Sequence, residues 1–223
     1  MKTTLYYIIL LILIVGCNHN DDNTIYIPDR LFHYQVSYSN DSGTIVKTQK
    51  LDLKVTDGFY PEKIQTQIIW ELFDIENGDT IIYTNKTGVI DDANRGFFIH
   101  QPRIKDMYIL SFADFPTIGS DVIKDSTLVI ITEGTIVMAK QYEGATITKV
   151  KTEQRCKGKT TIELPKIGLR RVYYLESSAT SEIGTIYGDY YFDKELGFVK
   201  FVFKLPDNRI ILIELEGVNF EIE

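Results

Sequence analysis

The stretch "GTIYGDYYFDKELGFVKFVFKLPDNRIILIELEGV", residues 184–218, decides the fold class. It holds three runs suited to strands, 184–192, 197–205 and 208–218, separated by "DKEL" and "PD", which have the composition of hairpin turns. In the middle run Val199, Phe201, Phe203 and Leu205 share one face, while Phe198, Lys200, Val202 and Lys204 share the other. An apolar face backed by a mixed one is the pattern of an antiparallel sheet wetted on one side. Glu214 and Glu216 fall on one face of the last run, placed to oppose Lys200 and Lys204 across a ladder.

Working outward, the same period recurs. "FHYQVSYS" (32–39) alternates aromatic or apolar residues with polar ones, and "IVKTQKLDLKV" (45–55) follows a polar turn. "IQTQIIWELF" (64–73) and "DTIIYTN" (79–85) flank "ENGD" (76–79), a tight hairpin with Asn-Gly at its tip. "GFFIH", "STLVIIT", "GTIVMAK" and "ATITKVK" add four more candidate strands bounded by Gly, Pro or Asp. "RIKDMYILSFADF" (103–115) carries apolar residues only loosely at helical spacing; it reads as a strand or irregular segment with one helical turn near Ile104–Met107. The expectation is an all-β chain: an antiparallel, strongly curved sheet, open barrel or sandwich of ten or more strands with few or no helices. No composition shift marks a second domain.

The N-terminus is of another kind. "LYYIILLILIV" (5–15) is apolar on every face, yet its eleven residues span only about half of a hydrocarbon core roughly 30 Å thick. With Lys2 before it and small Gly16 after it, the run has the layout of an export signal. Ile14-Val15-Gly16-Cys17 resembles the lipobox of bacterial lipoproteins. The resemblance implies cleavage before Cys17 and a mature N-terminus bearing acyl chains, such as palmitate, that anchor the protein to a membrane. Asn18 is not the acidic residue that holds enterobacterial lipoproteins at the inner membrane, and Asp21-Asp22 resembles the acidic export signals of Bacteroidota surface lipoproteins. That likeness implies the outer membrane of a Gram-negative envelope, on its surface or periplasmic face. The chain is thus expected to divide into a signal peptide at 1–16, a lipidated Cys17 with a flexible acidic tether through 27, and one all-β domain at 28–223.

Without residues 1–16, 207 residues remain and the formal charge moves from −7 to −8. Acidic balance disfavours phosphate-backbone partners, so no nucleic-acid role is expected. The densest basic stretch, "TKVKTEQRCKGK" (148–159), reads as the solvated face and turn of a strand. With Cys17 assigned, Cys156 has no partner for an internal disulfide. Arg155 and Lys157 are neighbours able to activate a thiol, but a lone cysteine in a strand is more often a small packed residue.

Residues able to do chemistry are scattered. His19, His33 and His100 stand in no metal-ligand spacing, and no cofactor or nucleophile-elbow fingerprint occurs, so neither cofactor nor catalytic residue is assigned. In "VIDDANRGFF" (89–98), Asp92, Asn94 and the carbonyl near Gly96 echo the alternating oxygen donors of a calcium loop, though the completing acid is absent. Asp74, Glu76 and Asp79 in "DIENGD" do the same, and turn chemistry explains both stretches.

"GKTTIELPKIG" (158–168), "RVYYLESS" (171–178) and "GDYYFDKELGFVKFVF" (188–203) together resemble the C-terminal part of uncharacterised Bacteroidota envelope lipoproteins. That group is similar to the half-barrel folds of lipoprotein and lipid carriers. Three functional expectations follow. A non-catalytic binding or interaction module, acting on an envelope protein partner, would fill its concave face with its own core and display an aromatic patch. A carrier of an apolar ligand or lipid would keep a pocket of several hundred Å³. A hydrolase with a dispersed site would bring His33 or His100 beside two carboxylates.

Overall fold

A computed structural model describes residues 25–60, 65–92, 94–124 and 131–222. The first half of the chain forms β1 (Leu31–Ser39), β2 (Ile45–Tyr60), β3 (Gln65–Glu76), β4 (Asp79–Asp92), β5 (Gly96–Ile99) and β6 (Thr117–Ile118). The second half forms β7 (Ile131–Tyr142), β8 (Ala145–Leu164), β9 (Gly168–Ser181), β10 (Gly184–Asp193), β11 (Gly197–Lys204) and β12 (Ile210–Val218). All twelve belong to one antiparallel sheet in the order β6-β5-β4-β3-β2-β1-β12-β11-β10-β9-β8-β7. The sheet curls into a half-barrel. Phe97 on β5 meets Phe192 on β10 with ring centroids 4.8 Å apart, a contact that a flat sheet forbids between strands so far apart in the order. The all-β expectation is therefore met.

Turn chemistry sets the register. Asn77 and Gly78 take φ of 54° and 89°, the double left-handed turn that "ENGD" requires, and Glu76 pairs with Asp79 across it. In the β10–β11 turn, the Asp193 carboxylate accepts the N–H groups of Glu195 and Leu196, and Gly197 adopts φ 74°. A Cβ at Gly197 would strike the phenol of Tyr26, so glycine serves both the turn and the packing.

Lys200 faces Glu214 across the ladder at 2.6 Å, as expected. Lys204 faces Ile210 instead, and Glu216 is held by Lys166 at 2.8 Å. A second departure sits at the start of β11. The register jumps from Tyr191–Lys200 to Phe192–Phe198, leaving Val199 as a bulge, so Phe198 and Val199 are both fully buried. Strict alternation had put Phe198 on the mixed face.

The topology dictates the rest. Because β1 pairs with β12 in the middle of the sheet, β6 and β7 lie at opposite edges, and the chain between them must cross the barrel mouth or its interior. Of that connection residues 119–124 are described, and the interior is filled by the segment between β5 and β6. The 103–115 stretch is a 3₁₀ helix over Lys105–Phe112 and not a strand, burying Met107, Ile109, Leu110 and Phe112. Apolar groups on several sides of the segment suit enclosure by a curved sheet, which a two-faced strand could not use. A short helix follows at Ser120–Lys124, and of "STLVIIT" only Ile131 and Thr132 fall among the described residues, where they open β7.

Gln154 on β8 ties the far side of the sheet to β6. Its amide donates to the Thr117 carbonyl at 2.5 Å and accepts the Thr117 N–H at 3.2 Å, imitating one rung of a strand ladder.

The expected limits of the tether need correction. Ile25 and Tyr26 are fully buried, their N–H groups donate to one Asp91 carboxylate oxygen at 2.7 and 2.6 Å, and the Tyr26 hydroxyl accepts the Phe198 N–H at 3.1 Å. The folded unit therefore includes residues assigned to the tether, because "IY" supplies core surface that a solvated linker lacks. Cys17, His19 and the export signal lie outside the described residues.

Gln154→Ala leaves the Thr117 backbone pair unsatisfied beneath the crossing, and the expected loss is about 1–3 kcal/mol. Urea denaturation of the variant beside the parent measures it; an unchanged midpoint would show that the two edges close without this amide.

Candidate functional site

The concave face is where a half-barrel would hold a ligand. Here it is occupied by residues 101–118. Gln101, fully buried, donates to the Leu110 carbonyl at 2.7 Å and braces the 3₁₀ helix against the strand end before it. Tyr190 on β10 donates to the Asp114 carbonyl at 2.9 Å and accepts from Ser177 at 3.0 Å. A Cβ at Gly188 would collide with the Tyr190 phenol, so the missing side chain is what lets this ring lie across its own strand. Further along the crossing, Tyr173 donates to the Ile123 carbonyl at 2.9 Å.

Burial pushes the Asp114 carboxyl up to about 6, with a hydrogen bond from Thr152 opposing the rise. The Tyr190 phenol is driven far up by full burial and by the nearby Asp114. Asp114 thus changes charge closer to neutral pH than an ordinary aspartate does.

The convex face is wet and differently furnished. Tyr174 and Tyr191 stack with centroids 5.2 Å apart, and the Tyr174 hydroxyl donates to Asp189 at 2.9 Å and Glu176 at 3.1 Å. Burial raises the Asp189 carboxyl. Tyr187 stands 56% exposed beside a hollow of about 300 Å³ lined by Glu153, Arg155, Glu176 and Asp189 among others. A larger polar hollow of about 590 Å³ opens between β7, β8 and β9, where Glu133, Lys151 and Thr180 contribute. The strand period explains the gathering: Arg155 and Lys157 share the outer face with Glu153, while Gln154 and Cys156 point inward.

That alternation decides Cys156. The thiol is buried, burial pushes its pKa up, and the two flanking cations pair with Glu153 at 3.7 Å and Glu176 at 3.1 Å on the other face. It is a packed residue.

The remaining candidates are dispersed. His33 meets the Asp52 carboxylate at 2.8 Å, and Lys50 takes the other Asp52 oxygen at 2.9 Å. His100 sits among Tyr60, Phe98 and Phe115 with no carboxylate among its described contacts. Neither histidine lies between two carboxylates, the geometry expected of the hydrolase. Asp92 is turned inward on its own loop, accepting the Asn94 N–H at 2.8 Å and binding the Arg95 side chain, and the Asn94 carbonyl accepts from Ser120. Asp74 and Glu76 bind Lys105. Among the described residues no group of three or more His, Cys, Asp or Glu could hold a metal ion.

No protein-family profile matches the chain, and no curated protein matches it. Among the solved structures that overlap it at low similarity are the following three. One is a protein inferred to be exported, with a YmcC-like fold, from Bacteroides fragilis: 11% identity, 88% of this chain and 98% of that one, TM-score 0.46. Another is an inferred lipoprotein from Parabacteroides distasonis: 12% identity, 87% and 97% coverage, TM-score 0.43. The third is a LolA superfamily protein from Nitrosomonas europaea: 8% identity, 91% and 90% coverage, TM-score 0.36.

A raised carboxyl pKa means the folded protein keeps a proton that the unfolded chain has released. Asp114 therefore weakens the fold as pH rises from about 4 to about 6, and fully above that. Asp114→Asn is expected to match the parent near pH 4 and to exceed it by about 2–3 kcal/mol at pH 7.5. Paired denaturation curves across that range check it; a constant difference would remove Asp114 as the titrating group.

Proposed function

We propose that this chain is an exported, lipid-anchored envelope protein whose domain acts as a non-catalytic interaction module. One observation carries the choice: the concave face holds the chain's own segment between β5 and β6, with Met107, Leu110 and Phe112 fully buried against the sheet. A carrier in this conformation would have to find its ligand volume elsewhere. The surface offered to a partner is the convex side of β8–β11, where stacked and exposed tyrosines stand among Glu153, Glu176 and Asp189. Tyrosine suits such a role because it joins a rigid flat face to a hydroxyl and loses little conformational freedom on binding. The lipobox-like sequence ending at Cys17 supplies the address, and the membrane is then a partner through the acyl chains.

A second reading keeps the carrier. Ser111 Oγ and Gln101 Oε1, both on the segment between β5 and β6, are buried without hydrogen-bond partners. Such a seam is weaker than a fully satisfied one, and displacement of the segment would bare an apolar trough.

Native mass spectrometry of the protein purified from its own envelope separates the two. The module is expected to appear at its own lipidated mass or with a stoichiometric protein; a further, non-covalent lipid on most molecules would overturn it in favour of the carrier. The address has its own check. Cys17→Ser is expected to leave the protein in the soluble fraction after cell breakage, and unchanged membrane partitioning would refute lipid anchoring at that residue.

A further inference from the structure

We propose that His100, Arg103 and Lys140, with the aromatic rings around them, form a binding site for an oxyanion of the phosphate class. The site stands whether the domain is an interaction module or a carrier.

It lies where the curled sheet brings its two edges together. Lys140 comes from β7 at one edge, while His100 and Arg103 follow β5 near the other. Arg103 Nη2 lies 3.2 Å from His100 Nδ1. A guanidinium only donates, so this nitrogen of His100 accepts and the ring proton sits on Nε2. The Arg103 guanidinium stands 5.0 Å from the centre of the Phe115 ring, and Lys140 Nζ 5.8 Å from that of Tyr108. Phe98 and Phe115 flank the imidazole with centroids at 4.8 Å, and Tyr60 at 5.6 Å.

The backbone of this corner is held in place. The Arg103 N–H donates to the Asn85 side chain at 3.1 Å, and the Trp70 indole donates to the His100 carbonyl at 2.9 Å. The cations are therefore presented by a fixed frame, which lowers the ordering cost of binding.

Among the described residues the corner has no counter-charge. The chain holds 31 acids against 24 Lys and Arg, and cations elsewhere in the fold are paired: Arg170 with Asp193, Lys200 with Glu214, Lys47 with Asp74. Arg103 and Lys140 have no carboxylate among the described residues, and Arg103 Nε is buried with no hydrogen-bond partner. The positive charges instead act on their neighbours. Burial lowers Arg103; burial and Arg103 lower Lys140; burial, Arg103 and Lys140 lower His100 to about 4. An acidic protein that places a half-buried arginine beside a lysine and an aromatic wall, with no acid among the described residues there, leaves charge for something from outside. The arginine fork and a converging ammonium match the oxygens of a phosphate, and the rings accept the apolar body of an amphiphile that carries one.

The test is titration of the full domain, residues 18–223, with inorganic phosphate and with dihexanoylphosphatidic acid below its micelle concentration. Binding is read by calorimetry and by the Arg103 Nε–Hε resonance. Saturable binding that shifts this resonance is expected with at least one probe, weakened about tenfold in Lys140→Gln and again in Arg103→Lys. Phosphate alone would mark a free ion as the source, and the amphiphile alone or more tightly would mark a lipid headgroup. No saturable binding by either probe, or equal binding by parent and Lys140→Gln, overturns the site. Lys140 is an edge-strand residue, so its variant reads the proposal even should Arg103→Lys fail to fold.

Discussion

The pairing of β1 with β12 governs this molecule. It sets the first and last strands side by side at the centre of a single sheet, so each half of the chain can only grow outward. The connection between halves must then return from one edge to the other. In a sheet with the native right-handed twist and this many strands, the edges approach each other, and the shortest return passes through the concavity. The concavity itself is filled by the apolar segment between β5 and β6, which makes it a core. Apolar burial on both its sides is the main stabilising contribution available to a chain that has no internal disulfide among its described residues.

Charge follows the same division. On the outer face Lys200 pairs with Glu214 across a ladder and Lys50 with Asp52 along one strand. Inside and at the mouth the polar groups are fewer and each has more consequence. Asp114 is raised by the loss of water and Tyr190 is committed to a backbone carbonyl. Arg103 leans on rings where an acid would otherwise be expected.

Much of the fold was legible because strand alternation is a local signal. Val199, Phe201 and Phe203 all go inward, the Asn77-Gly78 turn has the left-handed geometry its residues prefer, and Cys156 is inert because a period of two sends its cationic neighbours to the other face. The misreadings share one cause, which is that the competing information was not local. The bulge at Val199 cannot be seen in a run where Phe198 and Val199 are both apolar. The 103–115 stretch lacks a clean period because sheet lies on more than one side of it. Ile25 and Tyr26 look like the end of a linker until Asp91, 66 residues from Ile25, is seen accepting from both. The same holds for the cationic corner. His100 and Arg103 are three apart, but nothing in "HQPR" announces Lys140, which arrives only because the sheet curls. Sequence reasoning weighed His100 as a catalyst, looked for acids beside it, and had no means to notice that cations come instead.

The fastening of Ile25 and Tyr26 also bears on mechanics. One side of this clasp is Asp91 on β4, in the outgoing half of the sheet; the other is Phe198 on β11, in the returning half. Tension transmitted along the polypeptide from ahead of residue 25 therefore enters at a point shared by both arms. It draws them together and peels neither from the edge. A leading segment held in this way loads both arms of the sheet at once, where a fastening to a single strand would load only one.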